Sequence, residues 1–545
     1  MKKIISFVWE YSKNYILFWL IYVVLCGVLS AFSMVQPIIN GKFIDYLTLK
    51  KDSDNKILFF YVGLYIVFFV ITAIIGYAVD RIYTMLQFRI GFKINMSATK
   101  HVLRVPFSFV YKKNSIYISE LINNESCALT SFSLDIIQDM IKNIILIILG
   151  FILVIKYMGS MGLIIVLFMP LYYLIYILQR KKLYIESSKI NEMDSVYFSK
   201  LYGLLSNSKF IKINELSKYF VNKINVLYEG IITQTFNCKN LGWKYNTFEG
   251  GVSTGLNIFM VMYLGTLILQ GKMTIGEYTI INSYYAIITS SVKYFFSLGK
   301  NLQEARVSYD RLDNIMRLKE EENGKEIINK IDKISLDKIS FAHGNNVIYD
   351  NYSIDLLRGN VYTIIGENGS GKSTLINIII GLYIEQVQGH IYINDKDMKE
   401  IDMRSLRKNN IVLAEQDPFI YEDTLLNNII LDNKNYDKNK LDMLLTHFRL
   451  SDVISRLPQG LETMVYEDVI NFSGGEKQKI SLVRTFLQEK DLIILDEPTN
   501  ALDMQTKELL KDYIEIIKKD KIIILITHDD YMRMYGDRII NLNKL

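Results

Sequence analysis

Residues 361–374 read Val-Tyr-Thr-Ile-Ile-Gly-Glu-Asn-Gly-Ser-Gly-Lys-Ser-Thr. Val361–Ile365 is a short apolar run with the look of a buried parallel strand. The glycine-rich stretch that follows leads into an apolar helix over Leu375–Ile380. Strand, loop and helix in that order make a phosphate-binding P-loop. The glycines let the backbone curl so that successive N–H groups face one anion, and the helix N-terminus adds its dipole. Gly366, Glu367, Asn368, Gly369, Ser370, Gly371, Lys372, Ser373 and Thr374 are therefore the candidate contacts to the phosphates of ATP. Lys372 would supply a point charge to the β- and γ-phosphates, and the Ser373 hydroxyl would be a ligand of Mg²⁺.

Working outward, a second apolar strand, Asp491–Leu495, ends in the acidic pair Asp496-Glu497. A strand ending this way places a carboxylate at the edge of a parallel sheet, where it can hold a metal ion. Asp496 is the candidate Mg²⁺ ligand, and Glu497 beside it is the candidate general base toward water. Between the two motifs, Asn471-Phe-Ser-Gly-Gly-Glu-Lys-Gln478 opens an amphipathic helix running through Gln488. Ser473, Gly474 and Gly475 at a helix N-terminus form a second anion cradle. Two phosphate-binding ends in one nucleotide domain suggest that two copies meet face to face, each ATP lying between them.

The N-terminal part has a different composition. Half of all residues are hydrophobic, and the long apolar runs lie before about residue 300. Six apolar segments cover roughly 15–38, 57–79, 134–155, 161–180, 247–269 and 276–298. Each is about 20 residues or more, enough to cross a hydrocarbon core of ~30 Å. The stretch 81–133 carries seven basic residues (Arg81, Arg89, Lys93, Lys100, Arg104, Lys112 and Lys113) against Glu120 and Glu125. The stretch 181–246 is also long and rich in Lys. The positive-inside rule places both stretches, the N-terminus and the C-terminal domain in the cytoplasm. Helical periodicity in these stretches reads as membrane helices extending beyond the bilayer, and Pro170 should kink the fourth segment. The expected organisation is a transmembrane domain over 1–300, a linker over 301–330 and a nucleotide-binding domain over 331–545.

Polar groups in the apolar segments are few. Asp135, Asp139 and Lys142 share one face of the third segment, Glu249 opens the fifth and Glu277 the sixth. Charges at membrane depth are functional candidates, though groups near helix ends can also reach water. Tyrosines cluster on the fourth segment (Tyr172, Tyr173, Tyr176) and the sixth (Tyr278, Tyr284, Tyr285). They read either as packing and interfacial anchors or as the wall of a substrate cavity. Cys26, Cys127 and Cys238 are far apart and form no CxxC, which fits reduced thiols and excludes a zinc or disulfide framework. The net charge of +5 is small for 545 residues, so nucleic acid is not an expected partner.

Together these motifs resemble the ATP-binding cassette (ABC) transporters, and the whole chain looks like an exporter-type half-transporter. The implied fold is an all-α six-helix transmembrane domain followed by an α/β P-loop NTPase domain of ABC type. Ser473-Gly474-Gly475-Glu476 matches the family's signature motif, with Glu476 where Gln is usual and Phe472 where Leu is usual. Gln416, in Ala-Glu-Gln-Asp-Pro418, matches the loop that senses Mg²⁺ and the γ-phosphate. Ala501-Leu502-Asp503 matches the D-loop, and His528 after strand Ile522–Ile526 matches the switch histidine. Leu457-Pro458-Gln459-Gly460 and Glu467 match the segment before the signature. His343 stands where the family usually has a tyrosine stacked on adenine. The resemblance implies ATP and Mg²⁺ as cofactors, and membrane lipid and a second half-transporter chain as partners, a homodimer being favoured over a heterodimer.

It implies export of a peptide or hydrophobic small molecule across the plasma membrane. An importer on the same architecture and an ATP-gated regulator or lipid flippase are the alternatives. No cysteine-protease domain is seen before the first apolar segment, so leader-peptide cleavage by this chain is not expected. Heavy use of Ile, Lys and Asn points to an AT-rich bacterial genome. If Glu497 is the general base, Glu497→Gln should lower ATPase turnover by about 10²-fold or more and trap an ATP-bound dimer. Near-wild-type turnover in a phosphate-release assay would remove Glu497 from that role.

Overall fold

The computed structural model describes the chain except residues 50–54, 113–114, 159–163, 345, 368, 432, 467–471 and 543–545. Asn368 and Glu467 therefore lie outside the described residues. The chain divides into two compact units, Met1–Leu103 with Ser115–Leu318, and Arg104–Asn114 with Lys319–Leu545.

The first unit is helical. Its long helices are Ile16–Ser33, Val35–Leu49, Asn55–Val102, Ser115–Met158, Ile164–Ser206, Ser217–Leu269 and Ile275–Met316. Among the described residues, four stretches are long and apolar enough to cross a membrane: Lys2–Thr48, Asn55–Val102, Ile118–Met158 and Ser217–Leu269. The 48 residues of Asn55–Val102 make a rod of about 70 Å at 1.5 Å per residue, over twice the hydrocarbon thickness. The basic stretch after residue 81 thus continues a membrane-length helix instead of forming a separate loop. The expected fourth span begins within 159–163, outside the described residues, and its helix runs unbroken through Pro170. The expected sixth span opens the helix Ile275–Met316, whose many hydroxyl side chains leave it outside those four stretches.

That last helix packs on Ser115–Met158 and Val35–Leu49. Its start is fixed by backbone proximity. A Cβ on Gly276 would sit 2.1 Å from the Gly41 carbonyl oxygen, so only glycine permits this approach. Asp45 accepts from Thr274 Oγ1 at 2.8 Å and from the Gly276 N–H at 2.7 Å. Thr274 and Glu277 close a capping box on the same turn.

The second unit is built on a parallel sheet in the order Arg538–Asn541, Asn360–Ile365, Ile522–Ile526, Leu492–Asp496 and Ile411–Ala414. Alternate side chains enter two cores. Ile522, Ile524 and Ile526 pack with Leu375, Ile378 and Ile391 on one face. Ile523 and Leu525 pack with Ile480, Val483 and Leu510 on the other. Burial on both faces explains why these strands read as continuous apolar runs. An antiparallel sheet, in the order Asn346–Leu357, Lys333–His343, Gln388–Ile393 and Lys396–Asp397, covers the first face. Helices, among them Gly474–Leu487 and Met504–Ile517, cover the second.

The short helix Phe107–Lys112 belongs to this second unit although it precedes it by some 200 residues in the chain. Phe107 packs against Tyr383, with ring centroids 6.2 Å apart, and the Arg104 carbonyl accepts from the Glu321 N–H at 2.8 Å.

Asp491 ties the sheet's amino end together. It accepts from Arg358 at 2.7 Å, from Asn410 Nδ2 at 2.8 Å and from the Ile331 N–H at 3.2 Å. Burial alone would raise its pKa, but the hydrogen bonds from Arg358 and Asn410 outweigh that and hold it below the usual carboxylate range. The stabilisation is therefore present above the ordinary carboxylate pKa and is lost as pH falls through the lowered folded value. Asp491→Ala should cost the second unit about 2 kcal/mol at pH 7, by removing the shared acceptor of Arg358, Asn410 and the Ile331 N–H, while Arg358 keeps Asp332 at 2.9 Å. Urea melts at pH 7 and at acid pH test this, with the gap between wild type and variant expected to narrow on acidification.

Candidate nucleotide site

The P-loop leaves the carboxyl end of strand Asn360–Ile365, and helix Lys372–Ile379 starts at Gly371, which is left-handed at φ 95. Gly369 is also left-handed, at φ 86. A Cβ on Gly371 would lie 2.6 Å from Ile348 Cγ2 and 2.9 Å from the Tyr349 hydroxyl, so conformation and space both demand glycine. Tyr349 donates to the Gly371 carbonyl at 2.9 Å and pins the turn from the neighbouring sheet.

Lys372 is buried and folds back on its own loop, donating to the Gly366 and Glu367 carbonyls at 2.7 and 2.9 Å. A phosphate entering the loop offers this ammonium stronger, charged acceptors. The Ser370 hydroxyl is buried with no hydrogen-bond partner. An orphaned donor, two left-handed glycines and a buried ammonium suit an anion in the loop.

Strand Leu492–Asp496 delivers the acidic pair to the same edge, two strands away. Burial, then the neighbouring Glu497 charge, pushes Asp496 up to about 6, with Lys372 pulling the other way. Such a site favours a cation. Among the described residues, no group of three or more His, Cys, Asp or Glu is arranged to hold a metal. Mg²⁺ is commonly held by one carboxylate with phosphate and water oxygens, so Asp496 and Ser373 suit that ion.

Glu497 lies at the centre of the assembly. Its backbone is left-handed, φ 47, a conformation costly for a residue with a Cβ, and its N–H is anchored on the Ile526 carbonyl at 2.9 Å. Gln416 Nε2 donates to its Oε2 at 3.2 Å, and Asn500 Nδ2 donates to that same oxygen. His528 Nε2 stands 3.7 Å from the other oxygen, Oε1. Both amides sit on one oxygen, leaving the opposite one toward the histidine. Gln416, Glu497 and His528, far apart in sequence, are thus brought into one cluster beside the P-loop strand.

Ser473 caps helix Gly474–Leu487 in a reciprocal box with Glu476: the Glu476 N–H reaches the Ser473 hydroxyl at 3.3 Å, and the Ser473 N–H reaches Glu476 Oε2 at 2.8 Å. Arg456 lies 3.4 Å from Glu476 Oε1 and offsets its charge. A Cβ on Gly475 would come 2.7 Å from the Ala501 carbonyl oxygen, so the helix end packs tightly on the 499–503 turn. Asp503 is engaged as the N-cap of Met504–Ile517, accepting from the Thr506 N–H at 2.7 Å. His343 ends its strand in an exposed position, with its ring 6.4 Å from that of Phe341.

Some contributors could not be read from sequence. Asn500 follows Glu497 by three residues, but only the left-handed turn at Glu497 brings its amide to the carboxylate. Lys507 bonds Asp529, the neighbour of His528. Arg484 donates to the Asn428 and Phe419 carbonyls at 2.7 and 2.9 Å, tying the Ser473 helix to the segment after Gln416. In the helical unit, Tyr284 and Tyr285 are buried, and Tyr284 donates to the Met34 carbonyl at 2.7 Å, so these two serve packing. Glu249 pairs with Lys293 at 2.6 Å, and Glu277 is spent in the capping box. The side chains of Tyr172, Tyr173 and Tyr176 lie outside the described residues.

The family description "ABC transporter transmembrane region" matches residues 19–292, and "ABC transporter" matches residues 349–500. The lactococcin-A transport/processing ATP-binding protein of Lactococcus lactis subsp. lactis is 24% identical over 477 residues, 87% of this chain and 66% of that protein. The microcin-J25 export ATP-binding/permease protein of Escherichia coli is 30% identical over 357 residues, 63% of this chain and 60% of that protein. The chain thus spans just under two thirds of the length of these relatives. A solved bacterial Atm1-family ABC exporter with ATP bound shares the fold, with TM-score 0.80 and 17% identity over 96% of this chain and 93% of that one.

The Asn500 contact carries a prediction. Asn500→Ala should lower kcat about tenfold with KM for ATP little changed, since it removes one hydrogen bond to a charged carboxylate that does not bind substrate. Steady-state ATPase kinetics in lipid check the split. A rise in KM at constant kcat would mean that Asn500 acts on binding.

Proposed function

The chain belongs to the ABC transporter family, and on that footing we propose that two copies form an ATP-driven exporter of a peptide or hydrophobic small molecule in a bacterial plasma membrane. The observation that carries the reading is the convergence of Lys372, Asp496, Gln416, Glu497 and His528 at one sheet edge, in a chain that also holds membrane-length helices. The lactococcin and microcin transport named for the relatives supports a peptide cargo. The basic stretches 81–133 and 181–246 support a cytoplasmic nucleotide domain and six spans in all.

In this reading the loop N–H groups and Lys372 would bind the phosphates of ATP, and Ser373, Asp496 and Gln416 would hold Mg²⁺, which would supply charge neutralisation at the phosphates. Ser473, Gly474, Gly475 and Glu476 of the second copy close the site over the γ-phosphate with a helix N-terminus. Asp503 belongs to the turn that lines the same junction. Glu497 takes a proton from the attacking water through Oε1, while Asn500 and Gln416 orient the carboxylate through Oε2. His528 donates to the γ-phosphate as charge builds on it. His343 stacks on adenine, with a smaller face than tyrosine. Binding two ATP molecules draws the nucleotide domains together, and hydrolysis releases them, which alternately opens the membrane path to each side.

Inside-out membrane vesicles test direction. With ATP they should accumulate a cargo that stimulates the ATPase, and Glu497→Gln vesicles should not. ATP-driven depletion would make the chain an importer, and absence of any uphill flux would make it a gate.

A further inference from the structure

Helix Met504–Ile517, opened by Asp503, runs beside the segment that follows strand Ile522–Ile526. Three of its side chains, one turn apart, reach that segment. Lys507 Nζ donates to Asp529 Oδ2. Lys511 lies over the rings of Tyr531 and Tyr535, at 5.7 and 5.3 Å, and the Tyr535 hydroxyl donates to Glu515 at 2.8 Å. The contact from Lys507 falls on the residue next to His528.

His528 has little to hold its own ring. Its Nε2 stands 3.7 Å from Glu497 Oε1, beyond hydrogen-bond reach, and its side chain is 43% exposed. The backbone turn that carries the ring therefore does most to aim it. Several bonds fix that turn. The Ile526 carbonyl accepts from the Glu497 N–H at 2.9 Å, and the buried Thr527 hydroxyl accepts from the Asp529 N–H at 3.0 Å. Asp529 Oδ1 accepts from the Tyr531 N–H at 2.9 Å, which leaves the other oxygen to Lys507.

The side chains of Lys507 and Asp529 are 20% and 16% exposed, so water and salt screen the pair weakly. Burial would raise the Asp529 carboxyl, but the hydrogen bonds from Lys507 and the Tyr531 N–H hold it below the usual carboxylate range. Lys507 is one turn from the amino end of its helix, where the dipole disfavours a cation. Asp529 explains a lysine at that place.

We propose that Lys507 is a positioning residue for ATP hydrolysis: through Asp529 it fixes the turn that aims His528, and it ties that turn to the helix opened by Asp503. Lys507 acts without a contact of its own to the reacting atoms. The inference rests on the proposed role of His528 at the γ-phosphate and names what holds that histidine in place.

The test is a set of steady-state ATPase measurements on the full chain in lipid nanodiscs. Lys507→Met keeps the length of the side chain and removes its charge. It should lower kcat about tenfold, the scale of one charge-assisted hydrogen bond, with KM for ATP changed less than about twofold. Asp529→Asn, which keeps the cap on Tyr531, should give the same loss, and the two together should lose no more than either. His528→Ala should lower kcat about 10²-fold. Adding Lys507→Met to His528→Ala should then cost less than about twofold, because the residue it serves is already gone. An equal fold-loss from Lys507→Met with and without His528 would mean that the pair only supports the fold, and would overturn the proposal. Wild-type kcat in both Lys507→Met and Asp529→Asn, with His528→Ala impaired, would overturn it while leaving His528 its role. Wild-type kcat in His528→Ala would remove that role and the proposal with it.

Discussion

The pairing of strand Ile522–Ile526 with Asn360–Ile365 on one side and Leu492–Asp496 on the other is the constraint on which the nucleotide site depends. All run parallel, so their carboxyl ends stop at one edge. Ile526 pairs with Ile364 and with Asp496, which fixes the P-loop, the acidic pair and the His528 turn at the same level. Alternating burial into two separate cores locks that register, because a slip of one residue would exchange the two faces of every strand. The hydrogen bond from Glu497 N–H to the Ile526 carbonyl extends the pairing one residue beyond the strand and forces the left-handed turn. Backbone strain at Glu497 is thus held by the same ladder that builds the sheet.

Contiguous features were readable in the sequence. The P-loop, the strand ending in Asp496-Glu497 and the helix opened by Ser473 each carry their chemistry and their local structure in a dozen residues. Joins across the sheet were readable only through resemblance, since Gln416 and Glu497 are 81 residues apart and nothing local in either marks the other. Asn500 was invisible because its role depends on the backbone sign at Glu497. The placement of Phe107–Lys112 with the second unit was equally hidden: six residues cannot advertise a partner so far along the chain, and the contact is a ring against Tyr383. In the helical half, apolar length was readable but the use of polar groups was not. Tyr284, Glu249 and Glu277 looked like candidates for substrate contact and are occupied with a carbonyl, a lysine and a helix cap.

Of the three departures from the family pattern, Glu476 and His343 bear on different parts of the proposed site. Glu476 replaces an amide with a carboxylate next to an anion-binding helix end. The charge is absorbed locally, by the Ser473 N–H and by Arg456, so the cap survives and the phosphate cradle keeps its donors. His343 is exposed at the end of a strand of the antiparallel sheet, its ring 6.4 Å from that of Phe341, and in the proposed site it would face the base. In the proposed site the loop and its ion would set affinity for the triphosphate, and a small exposed ring would face the base.

The central claim is that each ATP is shared between two copies, with the P-loop of one facing the Ser473 helix of the other. Mixing chains tests it most directly. Lys372→Ala and Ser473→Arg should each abolish ATPase activity alone. Co-assembled from differently tagged chains and purified through both tags, they should regain activity, because one of the two junctions then combines an intact P-loop with an intact Ser473. Activity that stays at the level of either variant alone in the purified mixed dimer would contradict a shared site.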